Sequence, residues 1–305
     1  MARDSDSAAL LKNPLLSIIF KAALICCEQM TAFRFIPVTP YPLLSPYIAK
    51  MYVFESSGRL PALDRKLIVP NANLKLTFTY RNGIVAQIAG RPFIQSENEL
   101  SLTGLIDSPV VLDPQEDTQT GTIIIEFSPL GAYRLFHLSY AAVINQIADV
   151  EDLIGSRVKA LQSQLADVPA LNQKLQILQQ FLVKQLEKTA PDPIYDFCIR
   201  RISYSKGQIT VAQLEKETGY SSRWLHKKFL AHLGTGPKNL AEITRFKQVY
   251  EAYSTGVKSP NFKDHIYNYY HDQSHFIRAF KRFTGTTPTE LQNSSNELAT
   301  RHYTS

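Results

Sequence analysis

Arg223, His226 and Lys227 stand one turn or less apart, so a helix would gather their side chains on one face. Gln273, Ser274 and Arg278 would gather in the same way further down the chain. Leu225 with Phe229, and Phe276 with Phe280, are apolar pairs at i and i+4 that would bury the opposite faces. What the outward groups share is hydrogen-bond donation. Arginine and lysine donate to guanine O6 and N7, glutamine pairs with the adenine edge, and positive charge releases counterions from phosphates. Chemistry of other kinds lacks its residues. His137 is the only histidine before residue 226, so no upstream site can be built on several imidazoles, and no nucleophile elbow, P-loop or GxGxxG run occurs. No catalytic residue, metal site or cofactor is expected. His137, next to Phe136, reads as structural. Cys26 and Cys27 are adjacent and Cys198 stands alone, which gives neither a disulfide framework nor a zinc knuckle and fits a reducing, cytoplasmic compartment. Cys198 follows Phe197 in a helix-like run and reads as a small buried hydrophobe.

The two runs are copies of one unit. Leu225, Phe229, Gly234, Thr235, Pro237 and Leu240 recur as Phe276, Phe280, Gly285, Thr286, Pro288 and Leu291, every pair 51 residues apart. The glycine supplies a left-handed stop to the helix and the proline starts the next one. Before the first copy, Thr210 and Gln213 have the spacing of a capping box, Gly219 and Tyr220 make a turn, and Ser221 or Ser222 caps the helix that follows. That order is a helix-turn-helix. Before the second copy, Tyr269 and Tyr270 lead to Asp272 as the cap. Trp224, Phe229, Phe276, Phe280 and Phe283 lie at helical core spacing, not as the stacking aromatics of an RNA-binding sheet. Lys228, nearer the flank, is expected on phosphate.

The rest of the chain must position these helices. Its 305 residues suit two domains, and the charge is unevenly divided between them. Residues 1–191 hold 17 Lys/Arg against 17 Asp/Glu, whereas residues 192–305 hold 16 against 10, so the positive excess lies beside the repeats. Residues 1–29 read as an extension before Met30. Their apolar run Pro14–Cys27 is broken by Lys21, is too short to span a bilayer and lacks the charge pattern of a signal peptide. Residues 30–190 read as a β-rich domain followed by helices. Strands are expected at 66–69, 74–80, 84–89 and 122–127, with Asn82-Gly83 as a type I′ hairpin turn. After Gly131 the pattern turns helical. Pro169 splits the leucine-rich stretch in two, and Leu171, Leu175, Leu178 and Leu182 could form a short heptad seam, giving a homodimer through the 157–188 helices. Prolines 191 and 193 then end the helix, and 191–305 form an all-α domain, for an α+β chain overall.

The run DQSHFIRAFKRFTGTTP, residues 272–288, resembles the second DNA-binding helix and following turn of AraC/XylS-type transcription regulators, and GYSSRWLHKKFLAHLGTGPKNL, residues 219–240, resembles the first. Together the likeness covers about 195–292. PYPLLSPYIAKMYVF (40–54) and FSPLGAYRLF (127–136) are similar to the sensor-like domain that precedes this module in one AraC-type subgroup. The resemblance implies two helix-turn-helix units joined by a helix from Lys238 to about Ser254, with Leu240, Ile243, Phe246 and Tyr250 buried. It implies recognition helices in successive major grooves, with Arg223, His226, Lys227, Gln273, Ser274 and Arg278 facing bases. It further implies double-stranded DNA and RNA polymerase as partners, a small-molecule effector, no membrane and no enzymatic activity. The sequence departs from the family pattern at Glu215 and His265, where a small residue is usual, and at Tyr269, where the turn glycine is usual. A degenerate second unit on a nucleic-acid or protein interaction module is the alternative.

Overall fold

Aliphatic and polar side chains alternate along Leu74–Arg81 and Gln119–Phe127, and a strand sends alternate side chains to opposite faces. Leu74, Leu76, Phe78, Ile123 and Ile125 therefore share one face, and Lys75, Thr77, Thr122, Ile124 and Glu126 the other. In the computed structural model, which describes residues 33–57, 67–114, 119–136, 140–155, 157–254 and 266–292, both faces are covered. The expected extension 1–29 lies outside the described residues, as do His137 and His265.

The strands are β1 (Phe33–Pro37), β2 (Ile48–Ser57), β3 (Leu67–Ile68), β4 (Leu74–Arg81), β5 (Ile84–Ile88), β6 (Arg91–Gln95), β7 (Leu100–Thr103), β8 (Val110–Pro114), β9 (Gln119–Phe127) and β10 (Ile147–Asp149). They form a six-stranded sheet of order β1-β2-β9-β4-β7-β10 and a four-stranded sheet of order β3-β8-β5-β6, antiparallel at every pairing. The α+β reading with an N-terminal β-rich domain holds, and four of these strands overlap the expected runs. The Asn82-Gly83 hairpin does not form. Asn82 takes φ 50°, but β4 belongs to the large sheet and β5 to the small one, so the pair makes a crossing between sheets. A register shift between Thr79 and Arg81 turns the chain out of β4, and Asn82 is held there by its Nδ2 donating to the Gln119 carbonyl at 2.6 Å. The two-residue turn with positive φ at both positions lies instead at Ala89 (φ 50°) and Gly90 (φ 78°), where Ile88 pairs with Arg91.

Helices cover the aliphatic face of the large sheet. They are α1 (Pro129–Phe136), a 3-10 turn (Tyr140–Val143), α2 (Val150–Ile154), α3 (Arg157–Asp167) and α4 (Leu171–Leu186), the last two divided at Pro169 as expected. Leu175, Leu178 and Leu182 are buried within the chain, in the same core as Phe78 and Leu135. The expected dimer seam is thus occupied: an apolar repeat of two turns describes any helix with one buried face, and the outward side of α4 carries Gln173, Gln176, Gln180 and Lys184.

The same core continues into the C-terminal helices: α5 (Pro193–Tyr204), α6 (Val211–Thr218), α7 (Ser222–Leu233), α8 (Pro237–Ser254), α9 (Gln273–Thr284) and α10 (Pro288–Gln292). The proline-marked junction before α5 is tied down. Thr189 Oγ1 donates to the Arg134 carbonyl at 2.5 Å, and the Asp192 N–H donates to the Tyr133 hydroxyl at 2.6 Å, which in turn donates to Asp196 at 2.9 Å.

Candidate nucleic-acid interface

The first unit is α6, a turn and α7. Thr210 and Gln213 form the expected capping box: the Gln213 N–H donates to Thr210 Oγ1 at 3.2 Å, and the Thr210 N–H donates to Gln213 Oε1 at 2.8 Å. Gly219 ends α6 at φ 75°, and its N–H donates to the Glu215 carbonyl at 2.8 Å. Ser221 caps α7 by accepting from the Trp224 N–H. Glu215, which departs from the family's small residue, has a local use: its carboxylate accepts from the Ser222 N–H and places negative charge at the start of α7.

The second recognition helix repeats this construction at the same interval. Asp272 caps α9 by accepting from the His275 N–H at 2.7 Å, and both α7 and α9 are 12 residues long. Gly234 (φ 80°) and Gly285 (φ 76°) end them, and Pro237 and Pro288 open the helices that follow. The 51-residue offset seen in sequence therefore holds for cap, helix, stop and restart. Leu225, Phe229 and Leu233 are buried in α7, and Phe276, Phe280 and Phe283 in α9. The linking helix α8 buries Leu240, Ile243, Phe246 and Tyr250 as the sequence implied. In the second turn the Tyr270 N–H donates to the Ile266 carbonyl at 2.9 Å, matching Gly219 and Glu215 in the first unit. Tyr270 rather than Tyr269 thus occupies the place of the turn glycine.

All six sequence-selected residues, Arg223, His226 and Lys227 on α7 and Gln273, Ser274 and Arg278 on α9, are exposed. Lys228 is not available for phosphate as expected. Its ammonium pairs with the Asp192 carboxylate and lies 4.9 Å from the centroid of the Trp224 ring, which stacks on Tyr220 at 4.0 Å. His232, one turn on, meets the same carboxylate at 2.9 Å and stacks on Tyr133. Burial alone would raise the Asp192 pKa; hydrogen bonds from Lys228, His232 and the Tyr195 N–H, with the Lys228 charge, outweigh it and hold the group at about 2. Sequence reading missed this cluster. Its signal was present, in an Asp-Pro helix start and two basic residues at i and i+4. Cys198 is buried and its thiol is pushed up to about 11, chiefly by burial, as suits a packing residue.

Three glycines in left-handed conformation separate backbone strain from packing. A Cβ at Gly219 meets nothing within 4 Å, one at Gly285 lies 3.2 Å from Pro109, and one at Gly234 lies 2.6 Å from the Tyr140 carbonyl oxygen. Gly219→Ala should cost about 1–2 kcal/mol of stability from backbone strain alone. Gly234→Ala should cost clearly more, because α7 must also move off the 3-10 turn. Thermal melts test the order; equal losses at 219 and 234 would mean that α7 does not rest on that turn.

A protein-family comparison matches residues 214–294 to a model described as "Helix-turn-helix domain" and residues 37–149 to one described as "Domain of unknown function (DUF6597)". No curated protein matches the chain. Among solved structures, the chain is similar to ToxT from Vibrio cholerae at 14% identity and TM-score 0.42, covering 79% of this chain and 97% of that one. A structure of unsaturated fatty acid bound ToxT is similar at 14% identity and TM-score 0.44, covering 82% and 97%. The cupin domain of Schizosaccharomyces pombe Cnp3 is similar at 9% identity and TM-score 0.26, over 32% of this chain and 66% of that one. With two recognition helices built to one plan, and the C-terminal match falling on them, residues 214–294 of this chain form a helix-turn-helix DNA-binding module of the AraC type.

Proposed function

We propose that each chain reads two short DNA boxes with one face, α7 entering one major groove and α9 the next. The observation that carries this reading is the 51-residue repetition of cap, helix length and stop, which presents two polar helix faces from one covalent frame. Arg223, His226 and Lys227 would read the first box, and Gln273, Ser274 and Arg278 would serve the second. Two linked and unequal units need no palindrome, so the boxes should differ in sequence and lie about 10 base pairs apart. The functional division of the chain is taken at residues 190/191, with 30–190 as the sensor-like part. RNA polymerase is the further partner and the cytoplasm the compartment that this reading implies. No helix among the described residues is long and apolar enough to cross a membrane. A dimer through the 157–188 leucines is not part of the reading, because those side chains serve the chain's own core.

Effector control would be seated between the two sheets. A narrow cavity of about 80 Å³ lies there, lined by Ile84, Ile124 and Leu112 with Tyr52, Lys75 and Thr77. Next to it Glu126, fully buried, accepts from Asn71 Nδ2 at 2.7 Å and from the Tyr52 hydroxyl at 3.1 Å. An apolar body with one polar end is the effector class that such a lining suits.

Selection of duplexes from a random pool by the full chain tests the main reading. Two unlike boxes are expected in the recovered sequences, with affinity falling log-linearly with salt. Lys227→Ala should relax preference at one box and Gln273→Ala at the other, each by about 1–3 kcal/mol where the lost contact is to a base. A single box, altered only by Lys227→Ala, would leave the second unit without a reading role.

A further inference from the structure

The cleft between α8 and α9 carries chemistry that base reading leaves unused except at Arg278. It holds about 200 Å³ and is lined by Glu242 and Arg245 from α8, by Tyr270 from the turn, and by His275, Arg278 and Arg282 from α9. Three guanidiniums thus face one carboxylate. That carboxylate is already matched, since Arg282 Nη1 donates to Glu242 Oε2 at 2.8 Å. Arg245 donates from Nε and Nη2 to the Gly207 carbonyl, at 3.2 and 2.7 Å, which fixes its plane without neutralising its charge. Arg278, at the rim, is exposed and makes no ion pair among the described residues.

Tyr270 is the residue that turns a basic cleft into a built one. Its side chain is only 3% exposed, and its ring is held edge-on to His275 at 5.1 Å and Phe276 at 5.5 Å. Its hydroxyl is fully buried and has no hydrogen-bond partner among the described residues. A buried hydroxyl normally finds a partner, because leaving it unmade costs the full desolvation of the group. Tyr270 lines a cleft that it shares with the guanidiniums of Arg245, Arg278 and Arg282, so the partner its hydroxyl lacks is best supplied by an acceptor with negative charge. Guanidinium forks match the oxygens of phosphate, and a tetrahedral oxyanion fits the volume.

We propose that this cleft is a phosphoryl-group site, in which the Tyr270 hydroxyl and the Arg245 and Arg278 guanidiniums donate to the oxygens of one phosphate. A phosphate of the duplex backbone would make the cleft an anchor for the second unit, and in that form the proposal rests on the DNA-binding reading. Arg278 then grips the backbone beside the bases that Gln273 and Ser274 face. A free phosphorylated molecule offers the same group and would fill the cleft without DNA.

Tyr270→Phe in the full-length chain removes the hydroxyl and nothing else. Because that hydroxyl lacks a partner in the free protein, the variant should melt in sodium chloride at or above the wild-type temperature. Inorganic phosphate, compared with chloride at equal ionic strength, should raise the wild-type Tm through binding to the folded state, and should bind the variant roughly tenfold more weakly. If the duplex supplies the phosphate, the variant also loses affinity by roughly tenfold for all sequences alike. A methylphosphonate scanned through the second box would then find one position at which wild type and variant bind equally. If a free molecule supplies it, the phosphate difference persists while DNA affinity is unchanged. The proposal is overturned if phosphate stabilises both proteins alike, or neither beyond chloride, and the variant binds DNA as wild type does. Failure of the wild type to bind any duplex would remove the DNA reading, leaving the phosphate titration to decide the cleft.

Discussion

Leu182→Ala should lower the stability of the full chain by about 2–5 kcal/mol, and Leu182→Asp should leave no folded protein, because this side chain is fully enclosed in the chain's own core. Leu178, 1% exposed, should behave alike. The reasoning separates two uses of the same leucines. In a dimer seam, aspartate would yield a folded monomer, since the free chain would already expose these positions to water. In the core, the removed methyl groups leave a cavity that the surrounding sheet and helices fill only in part, and a buried carboxylate has no partner there. Total stability of a domain is about 5–15 kcal/mol, so even the alanine change takes a large share. Urea midpoints with sedimentation decide the matter: a folded, stable, monomeric Leu182→Asp chain would restore the seam.

The second large effect is expected at Asp192. This carboxylate caps α5 through the Tyr195 N–H and holds Lys228 and His232 of α7, so one side chain joins the helix that begins the C-terminal part to the recognition helix. Asp192→Ala removes cap and charge together and should cost about 2–3 kcal/mol, of which loss of the cap is about 1 kcal/mol. Asp192→Asn keeps an acceptor for the cap and loses only the charge, so it should fall between. Acid should erase the difference between wild type and Asn. The folded-state pKa is held down at about 2, below the value of about 3.9 for an unfolded chain. The ionised group therefore contributes stability that is fully present above the unfolded value and is lost as pH falls through the folded one. The pair is partly exposed, so its worth is about 1–2 kcal/mol rather than the full linkage value. Urea midpoints of the two proteins should differ at pH 6 and converge between about pH 4 and pH 2. A difference that stays constant down to pH 2 would show that charge at residue 192 contributes nothing.

The recognition helices were legible because their information is local. Caps, stops and the buried stripe lie within a dozen residues of one another, and the copy 51 residues on repeats each of them. The sheets were less legible. β4 and β9 are covered on both faces, so Leu74–Arg81 reads as a strand but not as the partner of any other strand. Asn82-Gly83 looked like a hairpin because the dipeptide favours positive φ, yet which strand pairs with which was settled by the long-range crossing to the small sheet. Ala89 gave no turn signal, since an alanine with positive φ is tolerated only where the paired strands impose it. The leucine heptads were visible and their direction was not: periodicity names the buried face of a helix without saying whether a sheet or a second chain buries it. Lys228 was misassigned for the same reason, because Asp192 lies 36 residues away.

The two faces of the large sheet place the cavity and the recognition helices on opposite sides of the same strands. Thr77 lines the space between the sheets, while its neighbours Leu76 and Phe78 belong to the core that runs through α1 to α7. Under the effector reading proposed above, a shift of β9 that admits a molecule on one side would move α1 on the other, and α7 packs on α1. Coupling through such a shared element is symmetric in free energy: a molecule that tightens the grip on DNA by a given factor is itself held tighter by that factor once DNA is bound. In that reading, DNA would then be as much an effector of the β domain as the small molecule is of DNA binding.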